Sequence, residues 1–174
     1  MLDIKRLSRN ELLIQSGWKL EYKVNIRDIY TKIEKEYNHK TNKNSYLFPQ
    51  MPIEKIFPKA FDIIQVLDGI SIKNLHPELG LGEGSYVIEF SYFNYDTSNT
   101  SELEEISSKI GKDVLFIGIG YDIIGDWLID VDGIIYFRDS IRNHLHPFSL
   151  NIYNFLEKDI YKLTDLNGEF IFCD

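Results

Sequence analysis

The sequence predicts an α+β fold: a single domain over residues 1–174, with an antiparallel-rich, mixed β-sheet flanked by helices. Three observations lead there. Helix-period stretches come first, turn-linked strands follow, and one helical stretch closes the chain. The segment DWLIDVDGIIYF (126–137) sets Asp132-Gly133 between two apolar arms, among the strongest short signals for a hairpin. A chain of 174 residues, 44% hydrophobic, can bury about 70% of its unfolded surface around one core without covalent staples.

The elements follow in order. Ser8 and Glu11 stand at capping-box spacing ahead of LLIQSG, and Gly17 is placed to stop that helix. A second helix is expected after Asn25, where Ile26, Tyr30, Ile33 and Tyr37 recur at helical spacing. Residues 38–52 are polar with two prolines and read as a loop. PKAFDIIQVL has Pro58 at the first helical position and Phe61, Ile64 and Leu67 along one side; Asp68-Gly69 breaks it, and ISI resumes as a short strand. Residues 74–85 form a Gly-rich loop that is not a phosphate cradle, because no Lys-Ser/Thr follows and Ser85 stands where a dinucleotide fingerprint needs glycine.

YVIEFSYFNY alternates as a strand with one buried side should, with Tyr86, Ile88, Phe90 and Tyr92 on one face. Next, Ser101 and Glu104 suggest a second capping box, Leu103, Ile106 and Ile110 form the helical stripe, and Gly111 ends it. VLFIGIG is a buried strand. After the hairpin, SLNIYNFLEKDIYKL is expected to be a closing helix presenting Ile152, Leu156, Ile160 and Leu163 to the core.

Charge and composition narrow the function classes. The net charge of -8 is unevenly spread. Residues 1–60 carry 12 Lys/Arg against 7 Asp/Glu, whereas residues 61–120 carry 3 against 10 and residues 121–174 carry 4 against 10. Two-thirds of the chain is strongly acidic, which disfavours nucleic acid or an anionic membrane as partner and suits a basic protein. The 11 Tyr and 11 Phe supply core packing, and Tyr is also favoured at protein interfaces. The single cysteine, Cys173, can form no disulfide within the chain, which fits the cytosol. MLDIKRLSRNELL has no apolar run of signal-peptide length, and no later stretch approaches the ~20 apolar residues of a membrane span.

Three chemical readings compete for Asp130 and Asp132. A calcium loop with its glycine at Gly133 would put ligand position 1 at Leu128, whose side chain has no oxygen. A strand ending in Asp-x-Asp-Gly resembles the haloacid-dehalogenase signature, with Asp130 as nucleophile and Asp132 as acid/base in a magnesium-dependent phosphohydrolase. The usual Thr after the glycine is missing. That fold also needs further strand–helix units of ~30 residues each downstream, and only 41 residues follow Gly133. The hairpin reading needs nothing extra and is the expectation, as a type I′ turn centred on Asp132-Gly133. His144 and His146 have no further His or Cys nearby to complete a zinc site. No Gly-x-Ser-x-Gly elbow is present, and no catalytic set, metal or cofactor is expected.

The motifs taken together resemble the SUKH superfamily. LIQSGW (13–18), the proline-led helix ending in LDGI (67–70), VLFIGIG (114–120), WLIDVDGIIY (127–136) and NIYNFLEK (151–158) follow its order over nearly the whole chain. The nearest subgroup opens with an Ala-Gly-Trp segment. Ser16 here replaces the alanine, Glu21-Tyr22 replace a Gly-Arg pair, and Asp68-Gly69 replaces a double glycine. The resemblance implies a bacterial immunity protein, which binds the C-terminal domain of a cognate polymorphic toxin in the cytosol and neutralises it. It implies no catalytic residues and does not locate the contact surface.

The residues themselves suggest an acidic and aromatic docking face for a basic toxin domain, with a nuclease as the natural fit. The candidates are Glu102, Glu104 and Glu105 on the capped helix, Tyr95 and Asp96 before it, and Asp122 and Asp126 entering the hairpin. Acidic residues in a first helical turn also serve the helix dipole, at about 0.3–1 kcal/mol each. Two alternatives stand beside this reading: a regulatory adaptor of the same fold, and the phosphohydrolase using Asp130 and Asp132.

Overall fold

The computed structural model describes residues 1–28, 31, 55–73, 86–91, 100–120, 125–139 and 144–162. The N-terminal stretch forms two short helices, α1 (Ile4–Leu7) and α2 (Glu11–Gln15). The capping box at Ser8 does not form. Ser8 adopts the αR conformation that closes α1, and a cap needs non-helical dihedrals. Asn10 caps α2 instead, its Oδ1 accepting from the Leu13 amide at 3.0 Å. Gly17 does stop α2, with the Trp18 amide donating to the Leu13 carbonyl at 2.9 Å. Residues 26–28 are helical behind Asn25, whose side chain meets Asp28, while Tyr30, Ile33 and Tyr37 lie outside the described residues. So do the expected loops at 38–52 and 74–85.

Helix α3 (Pro58–Leu67) has Pro58 in its first turn and buries Ala60, Ile63, Ile64, Val66 and Leu67. It anchors the N-terminal segment. The Trp18 indole donates to the Val66 carbonyl at 2.9 Å, and the Tyr22 hydroxyl donates to the Asp68 carbonyl at 2.7 Å.

The sheet is wholly antiparallel, a six-strand meander in chain order: β1 (Ser71–Lys73), β2 (Tyr86–Phe90), β3 (Val114–Gly120), β4 (Gly125–Asp130), β5 (Ile135–Asp139) and β6 (His144–Ser149). The α+β fold with an antiparallel-rich sheet flanked by helices is as expected, and no parallel pair occurs among the described strands. Helix α4 (Thr100–Ile110) precedes β3, and α5 (Ile152–Glu157) follows β6. Ser101 lies inside α4 and so is not its cap. The expected closing helix is interrupted: α5 ends at Lys158, whose backbone leaves the helical region, and Asp159–Lys162 continue as a 3₁₀ turn. Ile152, Leu156 and Ile160 are buried as expected; Leu163 lies outside the described residues.

Strand alternation divides the sheet into two faces. Leu115 and Ile117, Trp127 and Ile129, Ile135 and Phe137 point to the first, where α1, α2, α3 and α5 cover them in the main core. Trp127 is its centre, with Phe155 and Phe137 at ring-centroid distances of 4.8 and 4.9 Å. The second face carries Val114, Phe116, Leu128 and Tyr136, and α4 covers it with Leu103 and Ile106. The same face holds Asp126 and Asp130 of β4 and Arg138 of β5.

Candidate interaction surface

The β4–β5 hairpin forms, but with a different turn. The Gly133 amide donates to the Asp130 carbonyl at 2.9 Å, and the Asp130 amide donates to the Ile134 carbonyl at 3.0 Å. Val131 and Asp132 therefore occupy the central positions, and Gly133 follows with φ of 88°, a left-handed conformation that suits glycine. This is a three-residue connection, not the two-residue type I′ turn centred on Asp132-Gly133. The register decides the chemistry of the second face. A two-residue turn would set Asp126 across from Asp139; the longer connection sets it across from Arg138.

Arg138 was not among the expected residues. Its Nε donates to Asp126 at 2.9 Å, its Nη2 also meets Asp126, and its Nη1 meets Glu102 of α4 at 2.5 Å. The guanidinium lies 5.4 Å from the Phe116 ring centroid. Burial works against the charge on Arg138, but the bonds and charge of Asp126, then those of Glu102, outweigh it and raise the pKa. Asp126 is thus a buried partner of Arg138 and not an exposed contact entering the hairpin. Oppositely charged residues at facing strand positions are the signal that would have found the pair.

Asp130 and Asp132 part company at the turn. The Asp130 side chain is 0% exposed. Its Oδ1 accepts from the Asp132 and Ile134 amides, each at 2.9 Å, and its Oδ2 accepts from the Tyr136 hydroxyl at 3.2 Å. Asp132 is 62% exposed, and the Lys112 ammonium stands between the two carboxylates, 2.8 Å from Asp132 and 3.4 Å from Asp130. Lys112 holds the Asp132 carboxyl below the usual carboxylate range. A cation shared by the two carboxylates would have to displace this ammonium. Among the described residues no group of three or more His, Cys, Asp or Glu is placed to hold a metal ion. His144 and His146 lie on the edge strand β6 with ring centroids 5.9 Å apart.

The remaining candidates sit on α4. Leu103 and Ile106 face the sheet, which turns Glu104 and Glu105 outward, where both are exposed. Glu105 meets Lys109 one turn on at 2.7 Å, which holds its carboxyl below the usual range. Glu102 is half-exposed, with one carboxylate oxygen on Arg138. Tyr95, Asp96 and Asp122 lie outside the described residues. The structure therefore brings together Glu102, Glu104 and Glu105 on one helix and takes Asp126 into the layer beneath it.

A second surface feature is an open cleft of about 690 Å³ between α1 and α5, lined by Lys5, Arg6, Arg9, Glu11, Glu157 and Tyr161 among others. Its charges are mixed. Arg6 is committed to Glu157 through two bonds of 2.6 Å. Among the described residues no helix is long and apolar enough to cross a membrane. In comparisons with protein families, curated proteins and solved structures, nothing matches this chain.

Proposed function

We propose that this chain is a bacterial immunity protein of the SUKH kind, which binds and neutralises the C-terminal domain of a cognate polymorphic toxin in the cytosol. One observation carries the reading. Helix α4 is bound to the sheet by its apolar side and turns Glu104 and Glu105 to solvent, beside the half-exposed Glu102. Carboxylates on a packed helix form a pre-organised docking surface, which gains affinity by losing little freedom on binding. The partner chemistry that fits is basic. A nuclease domain suits it, because a groove that holds phosphate backbone must be positive. Steering between opposite charges lifts association toward ~10⁸–10⁹ M⁻¹s⁻¹ at low salt, which serves a protein that must catch a toxin before it acts. Asp130 supports the same reading, because its oxygens are engaged in holding the hairpin.

Where the neighbouring gene encodes a large secreted protein with a variable C-terminal domain, the test is co-expression with that domain. Survival of cells that the domain otherwise kills, with recovery of a complex of the two proteins, is the expected result. Killing that is equal with and without this protein overturns immunity to that domain. A neighbouring gene of another kind, with a cellular protein recovered instead, favours an adaptor of the same fold.

A further inference from the structure

We infer that His144 and His146 form a two-donor chelate for a divalent transition-metal ion of the zinc(II) kind, on the sheet face opposite α4. Both imidazoles come from one strand, β6, at positions two apart, and side chains two apart on a strand share a face. The register with β5 says which face. His146 stands across from Phe137, which belongs to the main core, and His144 stands across from Asp139. Leu145, between them, stands across from Arg138 and packs on the second core. The histidines therefore lie apart from the carboxylates of α4, and the inference goes beyond the immunity reading without resting on it.

The backbone holds the pair in place. Pro147 follows His146, and a residue before proline is biased to the extended region, so the strand stays extended where the donors sit. Phe148, next along, sets its ring against Trp127 with centroids 5.1 Å apart, which anchors β6 to the main core. His146 is half-buried and His144 exposed, so one imidazole is set by its surroundings and the other can turn to meet an ion. The two ring centroids are 5.9 Å apart. With metal–nitrogen bonds of ~2.0–2.1 Å, two imidazoles on one ion have centroids roughly 5 Å apart at a tetrahedral angle, and a turn of the His144 ring closes that gap. Imidazole nitrogen suits zinc, nickel and copper; magnesium and calcium take oxygen instead. Among the described residues no group of three or more His, Cys, Asp or Glu is placed to hold a metal ion. A pair of donors leaves coordination positions to water or to a donor from another molecule, so the ion is exchangeable, unlike zinc in a closed four-ligand site.

Titration of zinc chloride into the free protein tests it, in a Cys173→Ser background so that the one thiol does not compete for the ion. Calorimetry is expected to show one ion per chain, with amide NMR shifts confined to β6 and the facing end of β5. His144→Ala and His146→Ala should each weaken binding by at least about tenfold, since losing a ligand costs no less than losing an outer-shell partner. Magnesium chloride should give no heat. Saturating zinc should raise the thermal midpoint, and the rise should vanish when both histidines are replaced. The chain's other histidines are His39 and His76, and His39→Ala with His76→Ala should leave binding unchanged. If His146→Ala loosens the strand, the exposed His144 decides the matter alone. Zinc uptake that survives the loss of His144 and His146, or that disappears with His39 and His76, would mean an adventitious ion only and would overturn the site. Because no partner is present, neither outcome depends on the identity of the toxin.

Discussion

Lys112 holds its ammonium 3.4 Å from the carboxylate of Asp130, a side chain with no exposed surface. That contact joins the end of α4 to the β4–β5 turn, and it separates two aspartates that stand two residues apart in sequence. Asp130 is committed inward to two amides and a hydroxyl. Asp132 faces solvent, its carboxylate meeting the Lys112 ammonium and its backbone carbonyl accepting from Lys59 at 3.2 Å. Asp130→Ala should therefore lower the unfolding free energy by about 2–4 kcal/mol, because it leaves two backbone amides and the Tyr136 hydroxyl without their acceptor. Asp132→Asn should stay within ~0.5 kcal/mol. Urea denaturation midpoints compare the two; equal losses would deny Asp130 its structural role.

A similar contrast holds at the other end of the second face. Asp126→Ala leaves the largely buried Arg138 with only Glu102, and a loss of about 2–4 kcal/mol is expected. Glu102→Ala leaves Arg138 its stronger partner and should cost ~1 kcal/mol or less. Thermal or urea unfolding of both variants checks the order, and the reverse order would mean that Glu102 carries the pair.

Reversal of charge on the outward side of α4 should strike binding and spare the fold. The double substitution Glu104→Lys with Glu105→Lys is expected to slow association with a basic toxin domain by about 10- to 100-fold at low salt, with a smaller effect at high salt. Association kinetics at two salt concentrations, beside an unchanged urea midpoint, would show this. An association rate that is insensitive to both substitution and salt would move the docking surface elsewhere.

Stability should fall in alkali for a definable reason. Burial, and then the charge of Asp130, raises the pKa of Tyr136, and burial raises that of Tyr22. A raised pKa in the folded state means that this contribution is intact below the unfolded value near 10.0 and is lost as pH rises through the folded one. Denaturant midpoints should hold up to about pH 10 and then decline, and Tyr136→Phe should make the decline shallower. The acid side has the opposite sign. Lys112, Lys109 and Arg6 depress Asp132, Glu105 and Glu157, so those contributions are present above the ordinary carboxylate range and are lost as pH falls below it.

Gly125 is held by a close approach. A Cβ there would collide with the Phe137 ring and the Arg138 carbonyl, both parts of the neighbouring strand. Gly125→Ala is expected to cost about 1–3 kcal/mol through overpacking. Gly17→Ala is a useful comparison, since open space surrounds that position and only its φ of 82° is unfavourable. Calorimetric melting of the two variants separates crowding from backbone strain.

Much of the fold was legible in the sequence. The stripes of Ile64 and Leu67, of Leu103 and Ile106, and of Ile152 and Leu156 each become the buried side of a helix, and Ile88 and Phe90 the buried side of a strand. The caps were less legible. Asn10 and not Ser8 opens α2, and α4 already includes Ser101, because several polar residues near a helix start can each accept an amide and packing selects among them. The turn was found at the right place with the wrong length, and that one residue changed which side chains face each other across β4 and β5.

The sequence by itself determined the elements, their order and their apolar faces, because these depend on periods of two and 3.6 residues that are written locally in the chain. Only the tertiary structure decided which carboxylates remain available to a partner. Lys112 and Arg138 reach Asp130, Asp132, Asp126 and Glu102 from other elements, and a charge is spent or spared according to which cation the fold carries to within a few ångströms of it. Coulomb attraction at such distances is set by position in space, to which separation along the chain is blind.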